Sequence, residues 1–301
     1  MKSTLKKPKI IVTIPAYNEE KSIGKVISKI KKVMNTNSYN YKILVIDDGS
    51  SDSTVKEAKK AGAIVYSHPI NYGLAETFRT EMKKCIEMNA DIIVHTDADG
   101  QYLAEDIPEL VKEVNNGYEL VLGSRFMGHI EQMPLMKRIG NKAFSRVISK
   151  ITKVKITDGQ TGFRAFTKEA AKEINIISNH TYTQEQIIRA VKQKFRVKEV
   201  PAYFAKRADG KSRLMSNPFE YAFRAWINLL RIYRDYEPLK FFGYTGAVFF
   251  LAGLVFGGIS VYNYFTEGNV GGLPKVMLSV LLISIGLQIW LFGFLADMNR
   301  K

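Results

Sequence analysis

The spacing of apolar positions divides the chain into two regions with different rules. Between residues 8 and 125, short apolar runs alternate with stretches of helical period. Residues 9–14, 41–46, 63–66, 91–96 and 118–122 are brief runs dominated by apolar side chains and closed by Pro, Asp, Gly or Ser, which predicts strands. Residues 19–34, 53–61, 73–88 and 105–115 predict helices. In the first of these Ile23, Val26, Ile27, Ile30 and Val33 recur at three- and four-residue steps and define one apolar face. Strands separated by helices of this length predict an α/β fold built on a mostly parallel, doubly wound sheet.

Beyond residue 216 the pattern changes. Phe219, Phe223, Trp226, Leu230 and Tyr233 form one stripe, with Glu220, Arg224, Asn228, Arg231 and Asp235 opposite. That predicts an amphipathic helix over residues 216–238, placed in a membrane interface by its aromatics and arginines. Residues 241–265 and 276–296 contain no charged side chain. As helices they would be about 37 and 32 Å long at 1.5 Å per residue, enough to cross a hydrocarbon core of about 30 Å. The expectation is a hairpin of two spans, at about 241–265 and 275–296, joined by a link containing Gly268, Gly271 and Gly272. Arg231, Arg234, Lys240, Arg300 and Lys301 flank its outer ends, whereas only Lys275 borders the link. The positive-inside rule then places both termini in the cytosol. The start Met-Lys-Ser-Thr-Leu-Lys-Lys leads directly to a strand, so no signal peptide is expected. The predicted division is a cytosolic domain over 1–215, an interface helix over 216–238 and a membrane hairpin over 239–301, in a cell membrane or, in a eukaryote, that of the endoplasmic reticulum.

Composition narrows the partners. Lys and Arg number 44 against 29 Asp and Glu, a formal charge of +15, which calls for an anionic partner: nucleic acid, a phosphorylated substrate or an anionic lipid surface. No nucleic-acid-binding motif is present, so nucleic acid is not expected. The single Cys85 excludes an internal disulfide framework and a cysteine-built zinc site, and four His argue against a His-rich metal centre. A lone thiol suits a reducing compartment.

In open sheets of this kind, ligands bind at the carboxyl ends of the strands, and the unusual polar residues sit there. The first strand is followed by Pro15-Ala16-Tyr17-Asn18-Glu19 and the second by Asp47-Asp48. The fourth is followed by Asp97-Ala98-Asp99-Gly100-Gln101, and the fifth by Gly123-Ser124-Arg125. Any one of these alone reads equally well as a turn or helix cap; four at one sheet edge point to a shared crevice. Asp97, Asp99 and Gln101 offer hard oxygen donors of the kind that hold Mg²⁺ or Mn²⁺ alongside phosphate oxygens.

Together these segments resemble family 2 glycosyltransferases, and more narrowly the polyprenyl-phosphate glycosyltransferases such as dolichol-phosphate mannose synthase. Lys137-Arg138-Ile139-Gly140-Asn141, residues 158–164 (Asp-Gly-Gln-Thr-Gly-Phe-Arg) and residues 207–213 (Arg-Ala-Asp-Gly-Lys-Ser-Arg) also match. The resemblance covers about residues 8–240. It implies a GT-A nucleotide-binding fold and inverting transfer of a hexose from a UDP- or GDP-linked sugar to a dolichyl or undecaprenyl phosphate. By the same resemblance, Pro15, Ala16, Tyr17, Glu19, Asp48, Asp97, Ala98 and Asp99 bind the donor. Asp97, Asp99 and Gln101 hold the metal, Arg125 and Arg138 meet the acceptor phosphate, and Arg207 and Arg213 belong to a loop over the donor diphosphate. Asp99, Arg125 and Arg138 carry the catalysis. Glu185 stands near where relatives with hydroxyl acceptors place a base, and here is expected to orient the sugar or an arginine.

Three rival readings remain. A distributive transferase acting on a glycolipid or protein hydroxyl would use Glu185 as a base. A processive synthase would carry Gln-x-x-Arg-Trp, but Ala190 follows Gln186-Ile187-Ile188-Arg189. A non-catalytic membrane scaffold would bind lipid or protein through its basic face. Self-association is expected, if at all, through the hairpin.

Overall fold

The strand-forming runs become β1 (Lys9–Ala16), β2 (Asn40–Asp47), β3 (Ile64–Ser67), β4 (Ile92–His95) and β5 (Leu120–Ser124), followed by β6 (Arg164–Thr167) and β7 (Val197–Pro201). The helices between them are α1 (Ile23–Thr36), α2 (Thr54–Lys60), α3 (Leu74–Glu87), α4 (Ile107–Asn115), α5 (Leu135–Thr152), α6 (Lys168–Glu173) and α7 (Thr183–Lys192). This computed structural model describes residues 7–177, 182–206, 227, 230–270 and 272–298. The chain separates into two units, Met1–Pro218 and Phe219–Lys301.

The first unit is built on one sheet in the order β3-β2-β1-β4-β6-β5-β7. β1 pairs parallel with β2 and β4, β2 with β3, and β5 with β7. The expected parallel sheet holds except at β6, which runs antiparallel to both of its neighbours, β4 and β5. Two antiparallel steps restore the original direction. The carboxyl ends of β1, β2, β4, β5 and β7 therefore lie along one edge, together with the amino end of β6. A reversed strand thus brings the residues that precede it, 158–163, to the edge where the other strands end.

Helices cover both faces of the sheet, which is why its strands are nearly continuous apolar runs. Ile10, Val12 and Ile14 cluster with Ile23, Ile27 and Ile30 of α1 and with Leu110 and Val111 of α4, all almost fully buried. Each such side chain contributes about 1.5–3 kcal/mol on burial. The helix predicted from residue 19 begins at Ile23, because the Glu19 carbonyl accepts from the Ser22 and Ile23 N–H groups in a preceding turn.

The second unit contains α8 (Pro238–Glu267) and α9 (Leu273–Met298), each long and apolar enough to cross a membrane. They form a hairpin whose buried positions are mostly small: Gly246, Gly253 and Ser260 on α8, Ser279, Gly286 and Gly293 on α9. Each triplet repeats every seven residues, so the small side chains stay on one seam and let the backbones approach. The Ser279 hydroxyl donates to the Gly253 carbonyl at 2.8 Å and the Trp290 indole to the Gly243 carbonyl at 3.0 Å. α8 runs two residues past the predicted span, to Glu267, before Gly268 turns left-handed at φ 69°. Of the predicted interface helix, residues 230–236 are helical, whereas Phe219, Phe223 and Trp226 lie outside the described residues.

Candidate active site

The ends of β1 and β2 are laced together. Asp48 donates its backbone N–H to the Ala16 carbonyl at 2.9 Å, the Asn18 N–H goes to the Ser50 hydroxyl at 2.9 Å, and the Glu19 N–H goes to the Thr54 hydroxyl at 2.7 Å. Gly49 is required between them. Its φ is +74°, and a Cβ there would lie 2.5 Å from the Ile70 carbonyl carbon. Pro15, Ala16, Tyr17 and Glu19 thus share one rim, on which Tyr17 is exposed and Ala16 buried. Asp48 is 5% exposed, and its carboxylate accepts from His68 Nδ1 (2.8 Å), the Tyr72 N–H (2.9 Å) and the Gly73 N–H (2.8 Å). These bonds anchor the turn that opens α3.

Beyond β4, Asp97 and Asp99 bracket the buried Ala98, and the Gln101 N–H returns to Asp99 Oδ1 at 3.1 Å. Burial, and secondarily the neighbouring Asp99 charge, push the Asp97 carboxyl up to about 6. Gly162, delivered by the approach to β6, lies directly over this carboxylate. A Cβ at Gly162 would stand 2.8 Å from Asp97 Oδ1 and 3.0 Å from Oδ2. The carboxylate pair is crowded with negative charge, built of hard oxygens and kept clear by a glycine, which fits a divalent cation. Among the described residues no group of three or more His, Cys, Asp or Glu forms a cage. Such an ion would therefore need further oxygens, as from water or a phosphate ligand.

Arg125, expected to face the acceptor, is committed to Asp158. The guanidinium donates from Nε to Asp158 Oδ2 at 2.6 Å and from Nη2 to Oδ1 at 2.7 Å, and the Arg125 N–H also reaches Oδ2 at 3.0 Å. Both side chains are almost completely buried. Asp158 is fixed in turn from β7, where Glu199 accepts the Thr157 and Asp158 N–H groups, each at 2.8 Å. Arg125 is a positive charge set among Asp158, Asp97 and Tyr102, and it works against the upward shift of Asp97.

A second buried network escaped the sequence reading. His95, two residues before Asp97, is fully buried, with Nδ1 at 2.8 Å from Glu81 Oε2 and Nε2 at 2.6 Å from the Tyr182 hydroxyl. An Nδ1–H given to Glu81 leaves Nε2 to accept from Tyr182. Tyr182 stacks on Phe78 at 3.8 Å between ring centroids. Arg164, wholly buried at the start of β6, donates to the carbonyls of Thr161 and Thr183 and to Gln186 Oε1. Glu81, a charged residue on the buried face of α3, is one sequence signal for this core.

The remaining candidates are spread around the rim. Gln101 donates its amide N–H to the Ala205 carbonyl at 3.1 Å. Glu185 is buried on α7 and accepts from the Ile177 N–H at 3.0 Å and from Arg189 Nε at 2.7 Å, so it orients an arginine. Arg138 is exposed on the opening turn of α5, beside exposed Leu135, Met136 and Ile139. Arg207 and Arg213 lie outside the described residues.

Comparison with known proteins agrees with this architecture. Residues 11–175 match the model of Glycosyl transferase family 2, and residues 237–298 match that of the GtrB C-terminal hairpin. The chain is 34% identical over 216 residues to the UDP-N-acetylglucosamine–dolichyl-phosphate N-acetylglucosaminyltransferase of Methanococcus voltae, covering 64% of this chain and 84% of that one. It is 28% identical over 302 residues to the dolichol-phosphate mannosyltransferase of Pyrococcus furiosus, covering 94% and 81%. Among solved structures, glucosyl-3-phosphoglycerate synthase from Mycobacterium tuberculosis, in complex with Mn²⁺, UDP and glucosyl-3-phosphoglycerate, superposes with a TM-score of 0.56 at 17% identity, covering 74% of this chain and 80% of that one. That likeness establishes the GT-A fold.

Proposed function

Because the chain belongs to glycosyl transferase family 2, we propose that it transfers a hexose, with inversion, from a UDP- or GDP-linked sugar to a polyprenyl phosphate at the cytosolic face of a membrane. The observation that carries this reading is the crowded Asp97–Asp99 carboxylate pair at the end of β4, in which the Asp97 carboxyl is pushed up to about 6 and the space over it is left open by Gly162. Asp97 and Asp99 would hold Mg²⁺ or Mn²⁺, whose chemistry there is neutralisation of the donor diphosphate. Pro15, Ala16, Tyr17 and Glu19 would wall the nucleotide, on a rim kept in place by Asp48.

The acceptor sets the rest of the mechanism. A phosphate monoester has a second pKa of about 6 and is largely dianionic at pH 7, so it is a competent nucleophile without a general base. Glu185, already engaged by Ile177 and Arg189, is consistent with that economy. What the chain must supply is alignment and charge compensation. Arg138 sits on a surface that is both basic and apolar, a combination suited to a phosphate on a hydrocarbon chain. The hairpin of α8 and α9 would hold the enzyme where that lipid resides.

The test is direct. Purified protein in lipid bilayers, given Mn²⁺, a polyprenyl phosphate and a panel of UDP- and GDP-sugars, should yield a mild-acid-labile glycolipid identified by mass spectrometry. Chelation should stop its formation, and Asp99→Ala should abolish it while leaving the fold intact. Transfer that continues under chelation would remove the metal assignment. A product formed only on hydroxyl acceptors, and lost in Glu185→Gln, would replace the phosphate acceptor.

A further inference from the structure

The charge-free stretch of α9, residues 276–296, holds one amide side chain, Gln288. At 1.5 Å per residue it lies about 12 Å from the Ala296 end of that stretch and about 18 Å from the Val276 end. A glutamine side chain is too short to reach water from that depth. Nor does it face α8. Gln288 is exposed, and it stands two residues after the buried Gly286, about 200° round the helix from the small-residue seam. Ser279 and Trp290 are satisfied by carbonyls of α8. Among the described residues the Gln288 amide has no hydrogen-bond partner. A bare amide in hydrocarbon costs free energy, and membrane helices relieve that cost by hydrogen bonding across to another helix.

The amide belongs to a repeat. Met277, Leu281, Ser284, Gln288, Leu291 and Leu295 follow one another at alternating steps of four and three, and all six are exposed. This is the spacing of a seam between two helices that coil around each other left-handedly, and a single polar residue within such a seam fixes its register. A second copy of this chain suits the seam for two reasons. Every copy inserts in the same orientation, so a neighbour's α9 runs parallel and brings its own Gln288 to the same depth. An amide is both donor and acceptor, so two of them complement each other across a twofold axis, where two acids or two bases would repel.

We propose that α9 pairs with α9 of a second copy along this stripe, with Gln288 hydrogen-bonded to Gln288 inside the bilayer. The seam of glycines and serines then joins α8 to α9 within one chain, and the opposite face joins chain to chain. The proposal rests on the reading of α9 as a membrane span.

Full-length protein in bilayers tests it. Single introduced cysteines report the face, because the chain's own Cys85 is buried. On oxidation, Leu281→Cys and Leu295→Cys should join copies at least fivefold more than Leu278→Cys and Phe294→Cys. The latter two are also exposed, but each lies about 100° off the stripe. Gln288→Leu, which is more apolar and leaves the α8 seam untouched, should cut cross-linking through Leu281→Cys at least fivefold without lowering the melting temperature. Gln288→Asn, which keeps an amide, should retain most of it. Cross-linking unchanged by Gln288→Leu overturns the proposal, as does equal cross-linking at all four cysteine positions. A different membrane protein bound in fixed ratio in place of the second copy, seen by sedimentation in detergent, overturns it too. Protein released from membranes by alkaline carbonate overturns the span and the pairing together. A cross-linked pair that transfers no sugar supports the pairing and counts only against the proposed reaction.

Discussion

Arg125 and Asp158 meet as a closed two-point pair, 2.6 and 2.7 Å, with 5% and 0% of their side chains exposed. The contact joins the end of β5 to the approach of β6, the strand paired with β4, which leads into Asp97. Breaking a buried pair by removing one partner costs about 3–5 kcal/mol, because the other charge is left unmatched. Asp158→Asn should therefore lower the melting temperature strongly. Arg125→Lys keeps the charge but not the planar fork, and should lose turnover as well as stability. An Asp158→Asn protein that melts with the parent would show that the pair does not hold this edge together.

Asp97 predicts a pH dependence whose sign can be worked out. Its carboxyl is pushed up to about 6 in the folded chain, against about 3.9 for an unfolded aspartate. A raised folded pKa means that ionising Asp97 costs stability. Metal-free protein should lose that stability as pH rises from about 4 to 6 and regain none above. Asp97→Asn removes the cost, so at pH 7 without divalent cations it should melt higher than the parent, with the gap closing below pH 4. Thermal melts across that range, with chelator present, provide the check. The same variant should fail to bind Mn²⁺ and nucleotide.

Gly162 tests whether space over Asp97 matters. The alanine methyl would enter 2.8 Å from Asp97 Oδ1, closer than Cβ atoms normally come to any neighbour. Gly162→Ala should retain the fold but weaken nucleotide affinity in Mn²⁺ by at least tenfold in calorimetry. An unaltered affinity would separate the glycine from the metal site.

The hairpin seam predicts a different phenotype. A Cβ at Gly286 would meet the Phe250 backbone nitrogen at 2.7 Å, and one at Gly253 would meet the Ile283 nitrogen at 2.8 Å. Gly286→Leu should force α8 and α9 apart. Cysteine pairs placed across the seam should then cross-link less than in a control carrying a leucine at Gly258, which has open space around it. Equal cross-linking would mean that the seam does not depend on small residues.

Local pattern was sufficient for the early strands, for their order of appearance and for the two long apolar helices, because strand period, helix period and span length are each written in neighbouring residues. It also put Asp97, Asp99 and residues 15–19 at strand ends, the edge where ligands gather in sheets of this kind. Pairing across the sheet was not legible in the same way. The reversal of β6 depends on contacts between segments some seventy residues apart, and that reversal alone carries Gly162 over Asp97 and Asp158 to Arg125. Arg125 and Gln101 stood among the candidates for phosphate and metal because a sequence shows which groups can bind, not which partners they already hold: Arg125 is paired with Asp158, and the Gln101 amide N–H goes to Ala205. Only the folded chain decides that, since a buried charge or amide takes whichever partner the packing brings within about 3 Å.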